Sequence, residues 1–216
     1  MASDVDIANL ALTYLGAQPI VSFLDSNDRA RAVNRMYALL RDKLQRVYRW
    51  NFTVQYAQLS LIAPTVPATT VAPFEYEYAY QLPDGIMSLE VASSAPGAVP
   101  GINMPGVDLT DYQAGRQQDY RIVANRVLYS HSPPPQNIIY RGRITDPNQF
   151  DSAFVEAFAC YLGLMLCEEI TGSETKKQAL AQMYRESMSL ARMSNAIELP
   201  PITIPDDTFM LSRIGS

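Results

Sequence analysis

The sequence predicts an α+β fold: a four-helix bundle formed by the N- and C-terminal helices, an antiparallel β domain inserted between helices two and three, and an extended C-terminal tail. Apolar residues recur at helical spacing in the first 50 residues and again after residue 150, whereas the middle of the chain alternates apolar and polar residues. Helices with an apolar stripe have to bury it, and here they have one another and the sheet as partners. The predicted boundaries are 1–50 and 146–198 for the bundle, 51–145 for the β domain and 199–216 for the tail.

The first two helices are bounded by recognisable start and stop signals. Ser3-Asp4-Val5-Asp6 resembles a capping box, and Gly16 follows the first run of helically spaced apolar residues. The connector at 18–24 is expected to place Ile20, Phe23 and Leu24 on the core. Asn27 or Asp28 then caps a second helix. Its apolar stripe recurs at three- and four-residue spacing and consists of Val33, Met36, Tyr37, Leu40, Leu44 and Val47.

The second helix also carries an arginine ridge, which we define as Arg31, Arg35, Arg46 and Arg49. At about 100° per residue these four fall within about 60° of one another, opposite the apolar stripe. Residues 29–49 hold seven basic residues and one acidic residue, a net charge of +6, although the whole chain has a net charge of −5. Three interpretations stay open: a solvated helix face, a protein interface that uses bidentate arginine contacts, or a surface that faces DNA. The net negative charge of the whole chain argues against a general nucleic-acid-binding protein.

The middle of the chain is predicted to be β. A first strand begins at Phe52, and Phe74–Leu82 alternates without interruption, with Tyr76, Tyr78 and Tyr80 expected to fill the β core. Further strands are predicted over 86–91, 120–123, 127–129 and 137–144, the middle pair forming a hairpin.

Two helices follow the strands. Asp151 is expected to cap a helix that is apolar in nearly every direction and is therefore buried. Thr171-Gly172-Ser173 ends that helix and caps a fourth, whose predicted inner face is Leu180, Met183, Tyr184, Ser187 and Ala191. Cys160 and Cys167 would lie about 10 Å apart on the third helix, too far for a disulfide, so two buried reduced thiols are expected.

The residues suited to catalysis are sparse, and no catalytic, cofactor-binding or metal-binding residue is predicted. The chain has one histidine, His131, and no recognised nucleophile, phosphate-loop or zinc motif. Glu75 and Glu77 would project about 7 Å apart from one strand face, but alternating glutamates more often serve solubility. The adjacent Glu168 and Glu169 are more typical of a solvated helix end than of a catalytic pair.

The sequence predicts neither a membrane span nor a secretory signal. The longest apolar run, 157–167, has 11 residues, short of the ~20 needed to span a membrane, and the acidic N-terminus lacks a secretory pattern.

Motifs along the chain together resemble a known family. Asp6-Ile7-Ala8-Asn9-Leu10-Ala11-Leu12-Thr13-Tyr14-Leu15-Gly16, then Arg49-Trp50-Asn51-Phe52, then Tyr78-Ala79-Tyr80-Gln81-Leu82-Pro83-Asp84 resemble, in order and spacing, tail tubular protein A, the head-to-tail adaptor of short-tailed bacteriophages. Tyr120-Arg121-Ile122, Tyr140-Arg141 and Phe150-Asp151 extend the resemblance over about residues 6–195.

The resemblance implies a non-enzymatic virion protein at the head–tail junction, synthesised in the host cytoplasm. It implies a ring, twelve copies in this family, that binds the portal protein and the tail nozzle protein and lets genomic DNA pass without sequence-specific binding. No membrane partner is implied. The partner-binding candidates are the arginine ridge and a tail segment that is poorly suited to water, comprising Phe209, Met210, Leu211, Arg213 and Ile214. The alternative is a tail-associated cell-wall hydrolase using paired carboxylates such as Glu75 and Glu77.

Overall fold

The computed structural model describes residues 3–63, 76–93, 120–124, 126–131 and 134–198. Within these ranges the helices are α1 Asp4–Leu15, α2 Asp28–Val47, α3 Ser152–Thr171 and α4 Glu174–Ile197. The strands are β1 Val54–Ala63, β2 Tyr78–Gln81, β3 Ile86–Ser93, β4 Tyr120–Val123, β5 Val127–Ser130 and β6 Gln136–Gly142. Short 3-10 turns at Asn51–Thr53 and Pro147–Gln149 flank the strand region.

The predicted helix boundaries are confirmed by the cap geometry. Ser3 and Asp6 form a reciprocal capping box at the start of α1, and Gly16 ends the helix with a left-handed φ of 67°. Asn27, rather than Asp28, caps α2 by accepting a hydrogen bond from the Ala30 N–H at 2.7 Å. Asp151 caps α3 and Ser173 caps α4, as predicted.

The prediction of a four-helix bundle carrying an inserted β domain is wrong. In such a bundle the helices surround a shared core, each beside two neighbours. Here α3 is the central element, and α1, α2 and α4 each pack against it. The reason is visible in the composition of α3, which has buried residues in every direction around its axis, including Phe154, Phe158 and Leu162, although Met165 is 43% exposed. A helix that is apolar in every direction is most stable at the centre of the core, where the other helices surround it.

The six strands form one curled antiparallel sheet in the order β3-β6-β1-β2-β5-β4. β1 connects the two halves, because it pairs with β6 through its first residues and with β2 through its last. The β1–β2 register shifts between Leu61 and Ala63, an irregularity of the kind that increases local twist. The sheet encloses its own apolar cluster, which contains Leu59, Tyr80, Leu82, Leu128, Ile138 and Tyr140.

The sheet is attached to α2 by a fully buried glutamine. The Gln45 amide nitrogen donates to the Ile144 carbonyl at 2.8 Å, and its amide oxygen accepts from the Ile144 N–H at 3.0 Å. Gln45 therefore pairs with the backbone just after β6 in the way that another strand would.

The motif Arg49-Trp50-Asn51-Phe52 forms the junction between α2 and β1. Trp50 is fully buried, donates from its indole nitrogen to the Leu44 carbonyl at 3.0 Å, and packs edge-on against Phe154 of α3. Asn51 donates to the Asn195 carbonyl of α4 at 2.9 Å. Phe52 lies in a 3-10 turn, so the prediction that it begins a strand is wrong.

Other predictions about burial had mixed outcomes. Cys160 and Cys167 are free and buried, as expected. Ile20 is buried and Phe23 partly so, but Leu24 is exposed. Of the three tyrosines expected in the β core, Tyr80 is fully buried and Tyr78 packs against the sheet cluster, whereas half-buried Tyr76 lies against Tyr129 and His131.

Candidate functional site: outward-facing surfaces of the helices

The arginine ridge does not form one free surface, because all four arginines have partners within the chain. At the start of α2, Arg31 donates to the Ser26 carbonyl at 2.7 Å and lies 3.3 Å from a carboxylate oxygen of Asp28. One helical turn further, Arg35 reaches across to α3 and donates to both Glu169 oxygens at 2.7 and 2.6 Å.

The other two arginines fasten the sheet to the end of α2. Arg46 donates to the Met87 carbonyl of β3. Arg49, which lies beyond the helix, binds both Glu90 oxygens of β3 at 2.8 and 2.9 Å. Arg141 of β6 lies 3.8 Å from the same carboxylate and donates to the Tyr48 carbonyl at 3.1 Å. Because Arg31 and Arg46 are 15 residues apart, about 22 Å along α2, the ridge divides into two separate anchoring points.

This internal role of the arginines was not predicted from the sequence, where only outward roles were expected. Glu90 and Glu169 lie 41 and 134 residues from their partners. Nothing local in the sequence marks such a pairing, since only the packing of α2 against α3 and the sheet brings the charges together.

Four large apolar side chains are exposed on the outer surface of α4, and this feature was also missed. Met183, Leu190, Met193 and Ile197 are 40% to 82% exposed. Their spacings of seven, three and four residues place them along one face of the helix, which we call the α4 outer face. Met183 was predicted to face inward, and that prediction is wrong.

Polar residues occupy part of the inner face of α4 instead. Asn195 is buried, donates to the Arg49 carbonyl at 2.9 Å and accepts from the Asn51 N–H at 2.7 Å. Ser187 is buried and donates to the Tyr184 carbonyl at 3.2 Å. Of the predicted inner face, Leu180, Ser187 and Ala191 are buried, so that part of the prediction is confirmed.

A second apolar surface lies on the connection between α1 and α2. Val21 and Leu24 are 88% and 89% exposed. The turn is held by side chains: Asp25 accepts from the Val21 N–H at 2.9 Å, and Ser22 accepts from the Leu24 N–H at 3.2 Å. We call Val21 and Leu24 the α1–α2 turn patch.

The turn patch lies at one end of the helical region, and the α4 outer face runs along most of the length of that region. α4 begins beside the α1–α2 connection, where Lys176 donates to the Leu15 carbonyl at 2.8 Å, and its last turn contacts Asn51, just beyond the end of α2. From Met183 to Ile197 the face covers about 21 Å of helix.

The side chains considered for catalysis have ordinary structural surroundings. Glu168 lies 3.1 Å from Lys177 and Glu169 pairs with Arg35, so the two glutamates hold separate cations. Burial raises the pKa of the Cys160 thiol, which disfavours the nucleophilic thiolate. Glu77 is exposed before β2, and Glu75 lies outside the described residues. The described part of the chain holds no cluster of three or more side chains suited to a metal ion.

The remaining residues predicted to contact partners are in the tail: Phe209, Met210, Leu211, Arg213 and Ile214 all lie outside the described residues.

Among the helices that the structure describes, none combines the length and apolar character required to span a bilayer. No protein-family model matches the chain, and no curated protein matches it.

Proposed function

We propose that this chain is a structural head-to-tail connector of a short-tailed phage. It forms a ring that joins the portal protein to the tail nozzle protein and continues the channel for genomic DNA. The motif order over about residues 6–195 suggests this role, and the family expectation is twelve copies in the virion at the head–tail junction. The chain acts without catalysis.

The observation that carries the proposal is the α4 outer face. Four large apolar side chains on one exposed helix face are costly in water and are typical of a surface that a partner covers. At about 25 cal/mol per Å² of apolar area removed from water, burial of such a face contributes several kcal/mol to association.

The presence of two different apolar surfaces favours a ring over a two-fold dimer. A closed ring uses a heterologous contact, in which one surface of a subunit meets a different surface of the next. The α4 outer face and the α1–α2 turn patch supply two distinct surfaces on different elements of the chain. In a two-fold dimer, one self-complementary patch would suffice.

The charge of the chain agrees with a DNA channel. A net charge of −5 gives net repulsion from the phosphate backbone, and the four ridge arginines are engaged with internal partners. DNA can move past such a surface without being held.

Native mass spectrometry of the purified chain mixed with the portal rings encoded beside it tests the proposal. We expect stoichiometric addition to the portal ring. If the chain stays free while the portal ring is intact, the connector role is wrong, and peptidoglycan zymography then tests the hydrolase role.

A further inference from the structure

A groove with both basic and apolar side chains runs along one flank of α4. It has a volume of about 460 Å³, and its lining includes Tyr184, Arg185, Met188, Arg192 and Met193. Met188 is buried and gives the groove an apolar base, while both arginines are exposed. The groove is a different surface from the α4 outer face, with which it shares only Met193.

One of the two arginines in the groove is held in place by an aromatic ring. Arg192 lies over the Tyr48 ring, with its guanidinium carbon 5.2 Å from the ring centroid. Within the described ranges, neither Arg185 nor Arg192 forms an ion pair. Lys43 donates to the Tyr161 hydroxyl at 2.7 Å, and the Tyr161 ring stacks on Tyr184 at 4.9 Å between centroids. The groove therefore suits a peptide that combines carboxylates with apolar side chains.

We propose that this groove binds residues 202–207 of the same copy of the chain. That segment is Ile202-Thr203-Ile204-Pro205-Asp206-Asp207, two apolar side chains followed by two adjacent carboxylates. Its acidic and apolar residues are complementary to the two arginines and to Met188 and Met193. Duplex DNA would also be attracted to the arginines, but it has no counterpart for the methionines.

The length of chain after α4 is sufficient to bring the matching residues close together. Pro200 and Pro201 disfavour continuation of the helix, so an extended segment can begin there. An extended chain advances about 3.3 Å per residue, whereas a helix rises about 1.5 Å. If the segment runs back along α4 from Pro201, Asp206 and Asp207 come about 16 and 20 Å from that start. Arg192 lies about 9 Å and Arg185 about 20 Å before Glu198, so the carboxylates come level with Arg185, with Asp206 about 7 Å beyond Arg192.

The proposal extends beyond the connector role and does not depend on it. Residues 202–207 fix the base of the C-terminal tail to α4, and residues 209–214 then start from a defined place. The test uses the free chain without portal protein, so its failure would leave the connector role untouched.

Disulfide trapping in the full chain tests the position of the segment. Ser189 lines the groove, whereas Leu190 lies at nearly the same height on α4 but faces away. We compare Ser189→Cys with Leu190→Cys, each combined with Pro205→Cys, because a disulfide requires Cα atoms within about 7 Å. The native cysteines are buried.

We expect the Ser189 pair to cross-link within one chain at least about tenfold faster than the Leu190 pair under mild oxidation, as followed by mass spectrometry. Equal rates would overturn the proposal. A cross-linked dimer would also overturn it, because the segment would then occupy the groove of another copy.

A charge exchange tests the recognition itself. Arg185→Glu with Arg192→Glu should slow the Ser189 cross-link about tenfold. Adding Asp206→Lys and Asp207→Lys should restore the rate, and that recovery would also show that the arginine substitutions leave the fold intact. A rate that is insensitive to the first pair of changes, or that the second pair does not restore, would contradict the proposal.

Discussion

At the scale of single residues, Gln45 shows how a polar side chain joins the helices to the sheet. Its amide makes two hydrogen bonds to the Ile144 backbone in a site without solvent. Gln45→Met preserves the approximate volume but leaves a buried N–H and a buried carbonyl without partners. We expect the free energy of unfolding, measured in urea, to fall by about 2 to 4 kcal/mol.

The matched control is Gln58→Met on β1, whose side chain is exposed. We expect a change of about 0.5 kcal/mol or less. Similar losses for both variants would contradict the attachment role assigned to Gln45.

Asp6 gives a residue-scale prediction about pH. The Ser3 N–H donates to the Asp6 carboxylate at 2.8 Å and is the main reason that its pKa is lowered. A carboxyl whose pKa is lower in the folded state stabilises the fold above its unfolded pKa of about 3.9, and this stabilisation is lost as pH falls through the folded pKa. We expect Asp6→Asn to lower the Tm at pH 7 and to make progressively less difference below about pH 4. A Tm difference that is constant with pH would contradict this linkage.

At the scale of elements, β2 contributes the largest side chain that is fully enclosed by the sheet. Tyr80 is completely buried, whereas Tyr56 on neighbouring β1 is 72% exposed. We expect Tyr80→Ala to cost about 3 to 5 kcal/mol and Tyr56→Ala less than about 1 kcal/mol in urea unfolding. Equal costs would contradict the position assigned to the β core.

The α4 outer face is the element on which the connector role depends. Leu190→Glu places a charge on that face, so we expect it to leave the Tm within a few degrees of the original value but to prevent stoichiometric addition to portal rings. Leu39→Glu on α2 introduces the same change at another exposed leucine and serves as the control. If the Leu190 variant assembles as well as the Leu39 variant, the α4 outer face is not the contact surface.

At the scale of the whole molecule, the proposed connector role involves the tail as well as the described region. Deletion of residues 200–216 removes Phe209, Met210, Leu211 and Ile214, the apolar residues predicted to reach the portal. We expect the shortened chain to keep its Tm within a few degrees, because α1 to α4 and the sheet enclose their own cores, and to lose portal attachment in sedimentation. Unchanged attachment would contradict the role of the tail.

The arrangement of the helices explains how the molecule presents these surfaces. Since α3 is covered by α1, α2 and α4, each outer helix has one side on the core and another side available to partners. The sheet is held on α2 by Gln45, Arg46 and Arg49. The helices and the sheet therefore meet through specific polar contacts at one end of α2.

The sequence by itself determined the features that depend on near neighbours. Ser3, Gly16, Asp151 and Gly172 set helix ends because caps and left-handed turns act within a few residues, and the all-round apolar pattern of α3 was enough to predict its burial. Only the tertiary structure decided the central place of α3, the buried polar contacts of α4 and the partners of the arginines. Those features depend on groups far apart in the chain, such as Arg35 with Glu169 and Asn51 with Asn195, whose meeting is fixed by packing and by the pairing of buried polar groups.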